Sequence, residues 1–174
     1  MSKYYLRQDA QSCIGCLACE VHCKTNKGLA PGPRLCQNLA VGPVALDGLP
    51  RLRFVFMPCF HCEVPACKNV CPSGAIKQRA EDGIVYIDQN LCIGCKSCIT
   101  ACPWGACQWN PAAGKAVKCD YCKDRVDKGL KPACVTKCLT GCLDFGLATE
   151  VKDDRRERFA QMVANPWMRP GDVA

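Results

Sequence analysis

Sixteen of the nineteen cysteines in this 174-residue chain fall into four groups of four, and no other feature restricts the fold so strongly. Cys13, Cys16, Cys19 and Cys23 follow the spacing C-x2-C-x2-C-x3-C. Cys92, Cys95, Cys98 and Cys102 repeat it, with Pro103 next in the chain. Cys59, Cys62, Cys67 and Cys71 keep the plan with two extra residues before the third cysteine, and Pro72 follows. Cys119, Cys122, Cys134 and Cys138 keep the opening and closing pairs around an eleven-residue insertion.

This is the spacing of bacterial ferredoxins. Three cysteines two residues apart wrap one corner of an iron–sulfur cubane, while amides of the loop point at its sulfides. The fourth cysteine cannot reach the same cube and ligates a second one. A proline just after it helps to turn the chain away. Each group therefore needs a partner. Residues 59–107 read as a complete small ferredoxin, with CPSGAI at 71–76, a short hairpin, and CIGCKSCITACPWGAC at 92–107. On this reading Cys59, Cys62, Cys67 and Cys102 share one cluster, and Cys92, Cys95, Cys98 and Cys71 share the next. By elimination the first and last groups pair. Cys13, Cys16, Cys19 and Cys138 then hold a third cluster, and Cys119, Cys122, Cys134 and Cys23 a fourth.

The expected cofactors are four [4Fe-4S] clusters. Zinc closes a tetrahedron with four ligands and has no use for a third cysteine at the same short spacing followed by Cys-Pro. A [3Fe-4S] cluster would follow from a missing ligand, but all sixteen positions are filled. Disulfides suit an oxidising compartment, whereas clustered thiols in the cytoplasm bind metal more often. The opening MSKYYLRQDAQSC carries no apolar signal region and no paired arginines, so no export signal is read there. No apolar run approaches the roughly 18–20 residues of a membrane span. A cytoplasmic protein without a membrane span is the expectation.

Three cysteines remain. Setting CPSGAI at 71–76, CPWGAC at 102–107 and CLTGCL at 138–143 side by side puts Cys107 opposite Ile76 and Cys142 opposite Ala75. Both are expected in the core as small hydrophobes. Cys36, in a loop rich in Pro and Gly, reads as structural, with redox reactivity as its alternative. Leu139 replaces the proline of the fourth group and weakens the turn argument there. His22 and His61 sit between ligand positions and are expected at the surface or against sulfide rather than as ligands.

The formal charge of +7 treats every cysteine as neutral. Four thiolates on a core of about +2 leave each cluster near −2, so four of them add roughly −8 and bring the protein close to neutrality. The basic residues thus balance clusters, and no nucleic-acid partner is implied. Lys24, Lys68, Lys96, Lys118, Lys123 and Lys137 lie in or beside the motifs. There they either favour the reduced clusters or form an ordinary solvated face.

The fold class read from these features is α+β, with two pseudo-symmetric bacterial-ferredoxin-like units of short helices and β-hairpins. The four-cluster domain spans residues 1–148: an inner unit at 59–107, an outer unit from 4–35 and 115–148, and a hairpin insertion at 36–58. Residues 75–88 and 106–118 carry strand-turn-strand patterns. VALDGLPRLRFVF places an Asp47-Gly48 turn between apolar strands. Short helices are expected in CITACP and CVTKCLT. Trp104 and Trp109 flank the third group and are expected to shield a cluster from water. Residues 149–174 form a charged tail, read as a solvated helix or, alternatively, as a docking arm anchored by Trp167.

The segments CFHCEVPACKNVCPSGAI, CIGCKSCITACPWGA and KCDYCKDRV with PACVTKC resemble the four-cluster iron–sulfur subunits that accompany molybdenum or tungsten pterin oxidoreductases, such as dimethyl sulfoxide reductase and formate dehydrogenase. The resemblance covers residues 4–148. It implies a linear chain of clusters, the same pairing of groups, and a non-catalytic electron-transfer role. FVFMPCFHC, CPWGACQWNP and KCDYCKDRVDKGLKPACVTKC are further similar to the small subunit of tungsten-dependent aldehyde oxidoreductases that act with a flavin, NAD-linked subunit. The implied partners are a tungsten or molybdenum pterin subunit and a flavin/NAD-linked subunit or ferredoxin. A formate dehydrogenase or hydrogenase complex is the runner-up. Self-association is a further expectation, since nothing in the chain is itself an electron sink. A redox-sensing or assembly protein would need an effector module, and none is visible outside the cysteine groups.

Overall fold

The structure, a computed structural model, describes residues 4–46 and 49–147, and beyond these 149–150, 156–157, 160 and 164. In chain order the elements are β1 (Tyr4–Gln8), α1 (Ala18–Asn26), β2 (Gln37–Leu46), β3 (Leu49–Met57), α2 (Ala66–Asn69), β4 (Ile76–Gln78), β5 (Val85–Ile87), α3 (Ser97–Ala101), β6 (Gln108–Asn110), β7 (Lys115–Val117), α4 (Lys123–Val126), α5 (Ala133–Thr136) and β8 (Leu143–Leu147). The strands form four two-stranded sheets: β1 with β8, β2 with β3, β4 with β5 and β6 with β7. All four pairings are antiparallel.

The helices are short because the cysteine loops that begin and end them leave no room. None of the five helices just named reaches the roughly 12–15 residues that an isolated helix needs in water, so packing must hold them. The hairpins expected at 75–88, 106–118 and 36–58 are β4–β5, β6–β7 and β2–β3. The Asp47-Gly48 turn and Trp167 lie outside the described residues. The β1–β8 pairing, Tyr4 opposite Leu147 through Gln8 opposite Leu143, joins segments far apart in sequence and had no local signal.

Two apolar clusters form the interior. The larger packs Cys19, Cys23, Cys36, Cys134 and Cys142 with Leu35, Phe56, Ile84, Tyr121, Val135, Leu143 and Phe145. The smaller packs Cys67, Cys98 and Cys107 with Ile76, Val85 and Ala116. Thiols therefore occupy much of the space that aliphatic side chains fill elsewhere. A column of rings links the terminal sheet to the second cysteine group. Tyr4 stacks on Phe145 at 5.1 Å, Tyr121 meets Phe145 edge-on at 5.3 Å, and His61 stacks on Tyr121 at 3.7 Å.

Polar clamps fix the pieces together. The Gln8 side chain donates to the Phe54 carbonyl at 2.8 Å and accepts from the Phe56 amide at 2.8 Å, tying β1 to β3. Lys27, just after α1, pairs with Asp120 at 2.8 Å. Arg79 reaches both Asp82 and Asp127 at 2.7 Å and so joins the β4–β5 turn to the end of α4.

Candidate iron–sulfur sites

In every cysteine group the residue before the second cysteine is left-handed: Gly15 at φ +69°, His61 at +46°, Gly94 at +72° and Tyr121 at +52°. The shared conformation bends each C-x-x-C pair back on itself. Glycine adopts it freely, whereas a side chain there costs about 1–2 kcal/mol. The first and third groups use glycine. The second and fourth use the two rings that stack on one another.

The bent loops surround cavities. One is lined by Cys13, Cys16, Cys19 and Cys138, with Asn38, Thr140 and Cys142 beside them. A second is lined by Cys71, Cys92, Cys95 and Cys98. A third is lined by Cys59, Cys62, Cys67 and Cys102, together with His61, Trp104, Cys107 and Lys118. Each wall thus combines three cysteines of one group with the fourth from another. Cys23 and Cys134 lie within electrostatic reach of each other and of both Cys119 and Cys122, and Cys119 also feels Cys59. Burial and these neighbouring thiols push Cys134 and Cys119 well above the ordinary thiol range.

Sulfur-directed donors ring these cysteines. Asn38 Nδ2 donates to Cys13 Sγ at 3.6 Å, and Asn26 Nδ2 donates to Cys122 Sγ at 3.6 Å. The backbone amides of His61 and Ala106 reach Cys59 Sγ at 3.5 Å and Cys102 Sγ at 3.4 Å. Ser73 and Thr140 place hydroxyls 3.7 Å and 3.9 Å from Cys71 and Cys138. The two hydroxyls recur two residues after a closing cysteine, a signal present in the sequence. The asparagines approach from distant segments and had none.

Cys36, Cys107 and Cys142 are buried, as the side-by-side tails implied for the last two. Each also serves a neighbouring thiol. Cys142 lies 3.4 Å from Cys138, sulfur to sulfur. Cys107 lies beside Cys67 and Cys98, and Cys36 beside Cys23, and these neighbouring thiols hold the three cysteines below the ordinary thiol range. Cys107 therefore stands between two of the cysteine-lined cavities.

Of the six lysines near the motifs, Lys118 is buried. Its ammonium donates to the Val85 carbonyl and, at 2.7 Å, to the Cys119 carbonyl. Among the described residues no carboxylate pairs with it. Lys24 donates to the carbonyls of Ala30 and Pro33, and Lys96 lies 4.3 Å over the Trp109 ring. Trp104 lines the third cavity yet is 54% exposed, so it shields from one side only. His22 is half-buried, and His61 is almost fully buried.

All nineteen cysteines are free. A zinc ion would draw four sulfurs to about 2.3 Å of one point. Among the described residues no three His, Cys, Asp or Glu side chains converge on a point in that way. Four thiols spread around a cavity, with amide and hydroxyl donors behind them, fit a body larger than one ion. A [4Fe-4S] cubane with four thiolate ligands has that size and chemistry.

Residues 51–148 match the 4Fe-4S dicluster domain family. The B subunit of the anaerobic dimethyl sulfoxide reductase of Escherichia coli K12 is 44% identical over 151 residues, covering 83% of this chain and 73% of that one. The thiosulfate reductase electron transfer subunit PhsB of Salmonella typhi is 40% identical over 175 residues, covering 99% of this chain and 91% of its own. This chain belongs to the iron–sulfur electron-transfer subunits of the molybdopterin oxidoreductases. The B subunit of the polysulfide reductase of Wolinella succinogenes, 36% identical over 170 residues, is similar along 97% of this chain and 87% of its own. Members of this family carry electrons rather than a catalytic centre, and four [4Fe-4S] clusters are the cofactors. No helix among the described residues is long and apolar enough to cross a membrane.

Proposed function

We propose that this chain is a four-cluster relay for single electrons in which each cluster takes three cysteines from one group and one from its partner. The ligand sets are Cys71, Cys92, Cys95 and Cys98; Cys59, Cys62, Cys67 and Cys102; Cys23, Cys119, Cys122 and Cys134; and Cys13, Cys16, Cys19 and Cys138. The observation that carries this reading is that three cavities are each lined by four cysteines drawn from two groups. When bound, the clusters supply four one-electron carriers. The order of the sets just given is that of the relay, supported by Cys107 between the first two, the His61–Tyr121 stack between the middle two, and Cys36 beside Cys23 and the Cys19 carbonyl. The first two sets form the inner ferredoxin-like unit. The last two form a pseudo-symmetric outer unit, closed by β1–β8.

The chain's own residues set the environment of this relay. Amides donate toward cysteines of both middle sets and, from Asn38, of one terminal set, which favours the reduced state of those clusters. The terminal sets open to solvent. Cys16 and Cys95 are exposed, each beside an exposed isoleucine, Ile14 at 62% and Ile93 at 68%. Partners exchange electrons at these two lips.

One partner is a pterin catalytic subunit holding tungsten or molybdenum, and the other is a flavin/NAD-linked subunit or a ferredoxin. The cytoplasm is the proposed location. Aldehyde oxidation is the finer reading, and it rests on the likeness of FVFMPCFHC and CPWGACQWNP to tungsten enzymes. Reduction of a sulfur or selenium compound is the second, favoured by relatives that bear such names along nearly the whole chain. Metal analysis of the co-purified complex, with assays on an aldehyde and on thiosulfate, separates them. End-to-end association of copies through the two exposed lips is also proposed. Sedimentation that shows monomer at every concentration eliminates it.

The relay itself is tested on anaerobically purified protein by iron and sulfide analysis and by a reductive titration followed by EPR. About sixteen of each per chain, with interacting spins, is the expected result. Clearly fewer iron atoms, with one pair of groups empty, would show that the outer pairing is wrong.

A further inference from the structure

His61 is the most deeply buried polar side chain beside the cysteine groups, with 1% of its surface exposed. Its Nδ1 accepts a hydrogen bond from the Val85 amide at 2.9 Å. A backbone amide only donates, so Nδ1 carries no proton and the proton of the neutral ring sits on Nε2. That Nε2–H is buried and has no partner among the described residues. An unmet donor of this kind costs about 1–3 kcal/mol. The ring also occupies a left-handed position, at φ +46°, where two of the other groups carry glycine. Two costs therefore fall on one residue, and neither serves packing alone.

The donor's surroundings indicate what it meets. His61 lines the cavity walled by Cys59, Cys62, Cys67 and Cys102. One face of its ring is covered by Tyr121 at 3.7 Å. The Lys118 ammonium, in the same wall, has its own bonds to two carbonyls and is a cation, so it accepts nothing. The acceptor that completes the site must be electron-rich and must enter the cavity with the cluster.

We propose that His61 is a positioning and tuning residue that donates its Nε2–H to a sulfur of the cluster held by Cys59, Cys62, Cys67 and Cys102, and so raises the reduction potential of that cluster. Val85 fixes the tautomer and Tyr121 fixes the ring plane. A hydrogen bond to sulfur favours the reduced cluster. His61 stands where the inner and outer units meet, so it acts on the step by which electrons cross the middle of the molecule. The inference rests on the proposed ligand set, and iron analysis checks that set separately.

The test is pulsed EPR on reduced protein carrying histidine labelled with 15N in the imidazole ring only, so that the His61 backbone amide near Cys59 stays silent, in the natural sequence and in His22→Gln. A 15N coupling that survives in His22→Gln is expected. Potentiometric titrations of His61→Phe and His61→Gln provide the second readout. Phe keeps the stacked ring without a donor and should move the midpoint of one cluster to lower potential, whereas Gln keeps a donor and should recover part of that shift. About sixteen iron atoms per chain with no 15N coupling, or with unchanged midpoints in His61→Phe, overturns the role of His61. A deficit of iron in the natural protein instead counts against the ligand set. If the Phe variant fails to assemble, the 15N measurement still decides.

Discussion

At the scale of the residue, the chain's investment lies in groups that face sulfur. Lys118 is the clearest prediction. It is a buried cation whose partners are two carbonyls, and the charge that balances it arrives with the clusters. Lys118→Met should lower the midpoint of at least one cluster and cost about 1–3 kcal/mol of stability through the carbonyls left unmet. Potentiometry and thermal unfolding read both effects, and unchanged midpoints at full iron content would count against this role. Asn38→Ala should likewise lower the potential of a single cluster, because one donor to Cys13 is lost. The cysteines themselves were legible because their spacing is local. Asn26 and Asn38 were not, since each reaches its sulfur across a long stretch of chain that no spacing rule records. Cys107 and Cys142 were legible as core residues and Cys36 as structural, but their places beside neighbouring thiols needed the packed structure.

At the scale of the element, tight loops matter more than the short helices and strands they connect. A Cβ placed on Gly94 would lie 2.6 Å from the Gly114 carbonyl in the β6–β7 turn, at φ +72°. Gly105 has a similar φ, +62°, with open space around it. Gly105→Ala should therefore cost only the backbone penalty, about 1–2 kcal/mol. Gly94→Ala should cost more and lower the iron content, because a backbone carbonyl has to move. Equal losses for the two variants would mean that the contact with Gly114 carries no weight. The hairpins were readable from alternation and turn residues. The β1–β8 sheet was not, because its strands lie far apart in sequence and neither has a turn signal to announce its partner.

At the scale of the whole molecule, the interior is built from thiols where other small proteins place leucine and valine. Metal binding and folding are then one event. Anaerobic removal of iron by a chelator should abolish most of the folded far-UV circular dichroism signal, and reconstitution with iron and sulfide should restore it. A chelated chain that keeps its native spectrum would place the stability in the apolar contacts instead. The two lips of the proposed relay are built alike. Both present the same Cys-Ile-Gly-Cys turn with an outward isoleucine, at Ile14 and at Ile93. A conductor with matching plugs has no forward or reverse of its own. Traffic is directed by whatever is fastened to each end, and one such part suits a machine that withdraws electrons from its substrate as well as one that delivers them.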